Sequence, residues 1–251
     1  MGKKNDDLLS PFKDQKLWNF CCDLEQNKNF TIIKYGDFLE MMYTNNEMRH
    51  NCDGSHYFND LKQKIKEAYV FYLLNENSYI CKWEEPMYVE DTYDLEYSNY
   101  YKFYDKFLYF NIIIHKLNNE GQFDNKMVTF YKIIKNSKRT KIYICNQDLA
   151  PHVKKALNID HIIIVPKIDA YVNHKIIFDE IIKVLTKNCI VLTSCGFYAP
   201  YLVKELMGIR PNNTYIDVGS SFDGLYTGSR NFNWTPEYKQ KLTEIYIEKN
   251  Q

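Results

Sequence analysis

Four short apolar runs in the second half of the chain constrain its fold more than any other feature. They are KIYIC (141–145), HIIIVP (161–166), CIVLTS (189–194) and TYIDVG (214–219). Each is nearly continuous in apolar residues rather than alternating, as strands buried on both faces are. Helical patterns separate them: DLAPHVKKAL (148–157), 178–185 and 198–207. Strand, helix, strand in strict alternation predicts parallel βαβ units with right-handed crossovers. The expected class is therefore α/β, a Rossmann-like, mostly parallel sheet flanked by helices. Upstream, FTIIKYG (30–36) reads as a further strand ending at Gly36, and Leu61, Ile65, Ala68, Phe71 and Tyr72 mark an amphipathic helix over 60–74. A short helical stretch is expected around 18–24. The segment 88–109, dense in Tyr, Asp and Glu, is read as containing a helix over about 98–114, although its pattern alone does not decide between helix and strand. The whole, 1–251, reads as one domain, with a polar helical extension over 1–28 and a closing helix over 235–251.

Ligands of such sheets bind at the carboxyl ends of the strands, and four strand ends or turns carry polar or glycine-rich chemistry. In KYGDFLE (34–40), Lys34, Tyr35 and Gly36 end a strand and Asp37 and Glu40 follow. If a helix begins near Asp37, the two carboxylates share one face and suit a divalent ion; the same spacing also makes a helix cap. In NCDGSHY (51–57), Asp53 and His56 flank a turn and can accept a proton or a sugar hydroxyl, or simply sit on the surface. In VLTSCGFYAPYLVKEL (191–206), Thr193, Ser194 and Gly196 lie between a strand and a helix, where backbone N–H groups attract phosphate. In YIDVGSSFDGLYTGSR (215–230), Asp217, Gly219, Ser220, Ser221 and Asp223 follow a strand, and Arg230 can grip a diphosphate in a fork.

Composition excludes several classes. Lys+Arg and Asp+Glu both total 32, so the chain lacks the basic surplus of a non-specific nucleic-acid binder. The 7 cysteines include no C-x-x-C pair, which disfavours a zinc cluster. His115, His152, His161 and His174 are scattered without metal-ligand spacing and read as structural or exposed. The start, MGKKNDDLLS, is polar, and no run is long enough to span a bilayer, so a cytoplasmic, reducing setting is expected. There is no nucleophile elbow, no H-E-x-x-H and no kinase motif set. The DVG of residues 217–219 suggests an S-adenosylmethionine-dependent methyltransferase. In those enzymes, however, the glycine loop follows the first strand, and here only a helical tail comes after it.

Taken in order, these segments resemble the GT-D type of glycosyltransferases, found in bacterial surface-glycan clusters and among proteins of large DNA viruses. The family's first strand ends in R-[FY]-G-D-G-E; KYGDFLE stands in that place. NCDGSHYFNDL matches a segment of some relatives, and IIIVPKIDAY, LTSCGFYAPYLVKEL and YIDVGSSFD follow in the family's order, the likeness running over about 30–232. The chain departs from the family at D-x-E: Asp37 is kept, Leu39 occupies the Glu position, and Glu40 comes one residue later.

The resemblance implies sugar transfer from a nucleotide-diphosphate sugar, UDP-type first, to a glycan, glycoprotein or other hydroxyl acceptor. It also implies Mn²⁺ or Mg²⁺ held by Asp37 and Glu40, and a cytoplasmic location, the host's cytoplasm for a viral protein. Charge on the leaving phosphate would be met by Lys34, Arg230 or the 193–196 turn. Asp53, His56 or Asp223 would take the acceptor's proton, with Asp37 in the catalytic set. Tyr35, Tyr57 and Tyr198 are candidates to stack on base or sugar. A descendant that binds nucleotide or glycan without catalysis is the other reading that the altered D-x-E supports.

Overall fold

A computed structural model of the chain describes residues 6–35, 58–82, 106–109, 112–115, 117–118, 120–226 and 235–247. The elements run α1 (Asp6–Glu25), β1 (Thr31–Lys34), α2 (Asn59–Leu74), β2 (Ser78–Lys82), β3 (Phe107–Tyr109), α3 (Asn125–Asn136), β4 (Lys141–Cys145), α4 (Ala150–Leu157), β5 (His161–Ile164), α5 (His174–Val184), β6 (Ile190–Ser194), α6 (Ala199–Ile209), β7 (Thr214–Asp217) and α7 (Pro236–Tyr246). The strands form a seven-stranded sheet in the order β3-β2-β1-β7-β6-β4-β5, and each neighbouring pair is parallel. The α/β class expected from the sequence is what the chain adopts.

Side-chain alternation along each strand sorts the helices into two layers. Ile32, Tyr143, Leu192 and Ile216 face a core shared with α1, α3, α4 and α7. Ile33, Ile142, Ile144, Val191 and Tyr215 face α2, α5 and α6. Both faces are covered, which is why strands β1, β4 and β7 are buried at every position. The segment expected as an N-terminal extension carries α1, whose Leu17, Phe20 and Leu24 lie within the first core. Helix α3 has no counterpart among the elements expected from the sequence; the Asp124 carboxylate caps it by accepting from Lys126 N at 2.7 Å. Helix α5 begins at His174, four residues before the predicted start.

Two expectations fail. Strand β5, whose apolar run reads as buried on both faces, lies at the edge of the sheet and is buried only at Ile163. Phe107–Tyr109 falls within the helix predicted over 98–114 and is instead the edge strand β3. Its register with β2 pairs Ile80 with Phe107, Cys81 with Leu108 and Lys82 with Tyr109. Leu108 is thereby buried against the α1/α3 layer, and that tertiary pairing decides a segment whose local pattern is ambiguous. Residues 112–115 are a turn, and 98–105 and 110–111 lie outside the described residues.

The topology also fixes where a ligand can lie. After β4 the chain passes through α4 to β5, on one face; after β6 it passes through α6 to β7, on the other. These adjacent strands send their connections in opposite directions, leaving a crevice above their carboxyl ends.

Candidate functional site

Three strand ends meet at that rim. Ser194 ends β6, Asp217 ends β7, and Lys34 ends β1. Thr193 and Asp217 are register partners. The Thr193 carbonyl accepts from Val218 N at 3.0 Å and Gly219 N at 3.3 Å, stitching the turn after β7 to β6. The Tyr143 hydroxyl, from β4, lies 2.9 Å from Ser194 Oγ, which donates to Gly219 O at 2.7 Å. Since Ser194 spends its one proton on Gly219 O, Tyr143 is the donor in the other bond. Side chains from β4 and β6 thus hold the glycine turn in place.

Asp217 works from the other side. Its two oxygens accept from Lys34 N at 3.3 Å and Gly219 N at 3.1 Å. Lys34 Nζ donates to Val218 O at 2.9 Å. Burial pushes the Asp217 carboxyl up to about 6, against the pull of Lys34, the amides and the neighbouring Thr193 hydroxyl. Thr193 makes that electrostatic contribution without a hydrogen bond of full geometry. Burial likewise brings Lys34 down to about 8, with Asp217 foremost among the groups that hold it up and Asp223 contributing too. Lys34, Asp217 and Asp223 are each 3% exposed. Lys34 is expected from the sequence to face the leaving phosphate; instead it holds the 217–219 turn from beneath. Gly219, at φ +50, lies so close that a Cβ there would stand 3.0 Å from Lys34 Nζ. Gly196 likewise takes a left-handed φ of +58 and opens a single 3₁₀ turn, Gly196–Tyr198, that leads into α6.

The lower layer of the site is polar but sealed. Ser221 Oγ lies 2.7 Å from Ile113 O and 2.8 Å from Val218 O. His115 Nδ1 lies 3.0 Å from Ser221 O, and Nε2 lies 2.8 Å from the Tyr246 hydroxyl. A carbonyl only accepts, so Nδ1 carries the proton and Nε2 accepts from Tyr246. Burial drives His115 down to about 3, which keeps the ring neutral. Burial also pushes the Cys145 thiol up to about 12 and Cys195 well above its ordinary range, so neither serves as a thiolate nucleophile at neutral pH.

Of the residues read from the sequence, the structure brings Lys34, Thr193, Ser194, Gly196, Asp217, Gly219, Ser220, Ser221 and Asp223 to the carboxyl ends of β1, β6 and β7. Tyr35 follows them in sequence, but its ring is fully buried between Tyr69 and Tyr72 and its hydroxyl donates to Ile65 O at 3.0 Å. It is core rather than a stacking surface, because the pleat turns it toward α2. Tyr198 is also buried, its hydroxyl 2.7 Å from His174 Nδ1. Gly36, Asp37, Glu40, Asp53, His56, Tyr57 and Arg230 lie outside the described residues. Among the described residues no group of three or more His, Cys, Asp or Glu could hold a metal ion, and Asp217 has both oxygens committed to backbone N–H groups. Also among them, no helix is long and apolar enough to cross a membrane.

Two strand ends went unread in the sequence. Asn146 follows β4 directly, is 9% exposed, and accepts from Leu149 N at 3.1 Å. Beyond β5, Asp169 takes a left-handed φ of +56 and precedes the turn Ala170–Asn173. Both lie beyond an apolar strand, as three of the four segments singled out in the sequence do, Asn146 directly after β4 and Asp169 further past the end of β5.

No family model matches the sequence, and no curated protein matches it. Two solved structures do match in fold. One is described as "The highly conserved domain of unknown function 1792 has a distinct glycosyltransferase fold", with a TM-score of 0.52, 15% identity, and coverage of 89% of this chain and 92% of that one. A selenomethionine-substituted structure of that domain matches with the same TM-score of 0.52 and 15% identity. At that identity the likeness bears on architecture, and it meets the GT-D resemblance read from the sequence: this chain folds as that distinct glycosyltransferase fold does, over nearly its whole length.

Proposed function

We propose that the chain is a glycosyltransferase moving a sugar from a nucleotide-diphosphate sugar, UDP-type first, to a hydroxyl of a glycan or glycoprotein in the cytoplasm. The observation that carries this reading is the convergence of the Ser194, Gly196 and Gly219 turns at one rim of a parallel sheet, beside the crevice between β4 and β6. In the transfer, the acceptor oxygen bonds to C1 of the sugar while the bond from C1 to the diphosphate oxygen breaks. The electron pair leaves on the diphosphate, and the acceptor's proton passes to a base. Asp53 and His56 are the base candidates, since Asp223 is buried at 3% exposure. Backbone N–H groups of the Gly196 turn, at the start of α6, meet the charge that grows on the leaving group. Thr193, Ser194, Gly219 and Ser220 shape that turn pair, and Arg230 would grip the diphosphate in a fork. Asp37 and Glu40 are the proposed pair for Mn²⁺ or Mg²⁺, which would add neutralising charge.

A thermal-shift panel tests this. A ligand at a hundred times its Kd adds about 2.7 kcal/mol, which for a chain of this size raises Tm by roughly 5–11 °C. One of UDP, GDP, CDP or TDP, with or without Mn²⁺, is expected to do so. No shift in any arm defeats the reading. Leu39 in the Glu position of D-x-E favours a second reading, binding without transfer. That reading gives the same shift with no sugar released from any donor.

A further inference from the structure

We propose that the cleft beside the Gly196 turn seats the nucleobase of the donor, with the ring of Tyr171 as its stacking surface. This rests on the glycosyltransferase reading and adds to it a place for the base. Phe58, Leu61, Asp169, Tyr171, Cys195 and Tyr198 line the cleft. Cys195 belongs to the same turn as Gly196, so base and diphosphate would be served by neighbouring residues of one loop.

Tyr171 is half-buried and clamped. Its hydroxyl donates to Asp60 Oδ2 and accepts from Lys64 Nζ at 2.7 Å. The Lys64 ammonium also stands 5.1 Å from the Tyr171 ring centroid and 4.7 Å from that of Tyr201. The rings of Phe58, Tyr201 and Tyr198 surround Tyr171 at 5.8, 6.0 and 6.1 Å. A partly exposed tyrosine ordinarily loses rotamer freedom when a ligand stacks on it; here that cost is already met in the free protein. The hydroxyls favour a base over a sugar. Tyr171 spends its hydroxyl on Asp60 and Lys64, and Tyr198 pairs with His174. What Tyr171 offers is ring surface rather than the several hydrogen bonds by which a sugar is held, while Tyr198 is buried behind it.

Calorimetric titration of UDP and of inorganic pyrophosphate into wild type, Tyr171→Ala, Tyr171→Leu and Tyr171→Phe tests the proposal, with GDP, CDP or TDP replacing UDP if one of them gives the larger thermal shift. Loss of one stacked base weakens binding about 5- to 160-fold. That loss is expected for UDP with Tyr171→Ala and Tyr171→Leu, while pyrophosphate binds all four proteins alike. Tyr171→Phe keeps the ring without its clamp and should lose only a few-fold. The two larger substitutions guard against misfolding, and melting curves identify a variant that has unfolded. UDP affinity unchanged in a folded Tyr171→Ala or Tyr171→Leu overturns the proposal and leaves the donor reading standing. Unchanged UDP affinity with a raised acceptor KM overturns it in favour of an acceptor seat. A wild type that binds neither UDP nor pyrophosphate, nor any of the other diphosphates, removes the donor reading and the base seat together.

Discussion

Gly219 shows how tightly single residues are specified at the rim. Its φ of +50 suits glycine, and a Cβ would press on the Lys34 ammonium at 3.0 Å and its Cδ at 3.2 Å. Lys34 cannot swing aside, because it is 3% exposed and bonded to Val218 O. Gly219→Ala should therefore cost at least about 1–2 kcal/mol from the backbone conformation alone, with further strain from the displaced lysine. Gly208 is the internal control: it lies in α6, a Cβ there would meet nothing within 4 Å, and its φ is not left-handed. Gly208→Ala should stabilise by about 0.5–1 kcal/mol through helix propensity. Urea unfolding of the two variants should give opposite signs. Equal and small effects would mean that the 217–219 turn is not held as described.

At the scale of elements, what could be read from the sequence follows from how each element is buried. Strands β4, β6 and β7 lie inside the sheet, and their continuous apolar runs announce it. Strand β3 is three residues at the edge, and its F-L-Y run fits helix or strand equally until the β2 pairing is known. Helix α3 was legible and went unread: its buried Met127, Phe130, Tyr131 and Ile134 follow the i, i+3, i+4, i+7 pattern behind the capping Asp124. The rim residues of β1, β6 and β7 could be found because glycine and small polar residues interrupt apolar strands there. Which of them touch each other could not, since Lys34 beneath Gly219 and Tyr143 on Ser194 are contacts across strands distant in sequence. Helix α1 yields a test of its own. Phe20 is 2% exposed, with the rings of Phe30 and Tyr79 at 4.8 and 4.9 Å, whereas Trp18 on the same helix is 48% exposed. Phe20→Ala should cost about 3–5 kcal/mol, and Trp18→Ala should stay within about 0.5 kcal/mol. Two silent substitutions in chemical denaturation would mean that α1 is an appendage rather than part of the core.

At the scale of the whole molecule, the sealed polar layer under the rim ties global stability to pH through two groups of opposite sign. Burial holds folded His115 near 3, below its ordinary 6.5. Between those values the unfolded chain binds a proton that the folded chain refuses, so this contribution to stability falls as pH drops, by about 1.4 kcal/mol per pH unit. Burial holds folded Asp217 near 6, above its ordinary 3.8. Between those values the folded chain keeps a proton that the unfolded chain has lost, so this contribution is greatest below about pH 4 and falls as pH rises. From about pH 4 to 6 the two slopes oppose each other and largely cancel in the wild type. His115→Gln removes one of them. Its side-chain amide can still donate toward Ser221 O, and its stability is lower overall because the Tyr246 hydroxyl loses its ring acceptor. The diagnostic quantity is the stability difference between wild type and variant, measured by urea unfolding at half-unit steps of pH. It should shrink by about 1.4 kcal/mol for each unit of acidification between pH 6 and 4. A difference that stays level across that range would show that His115 takes up its proton in the folded state as readily as in the unfolded one, and that the layer beneath the rim admits water.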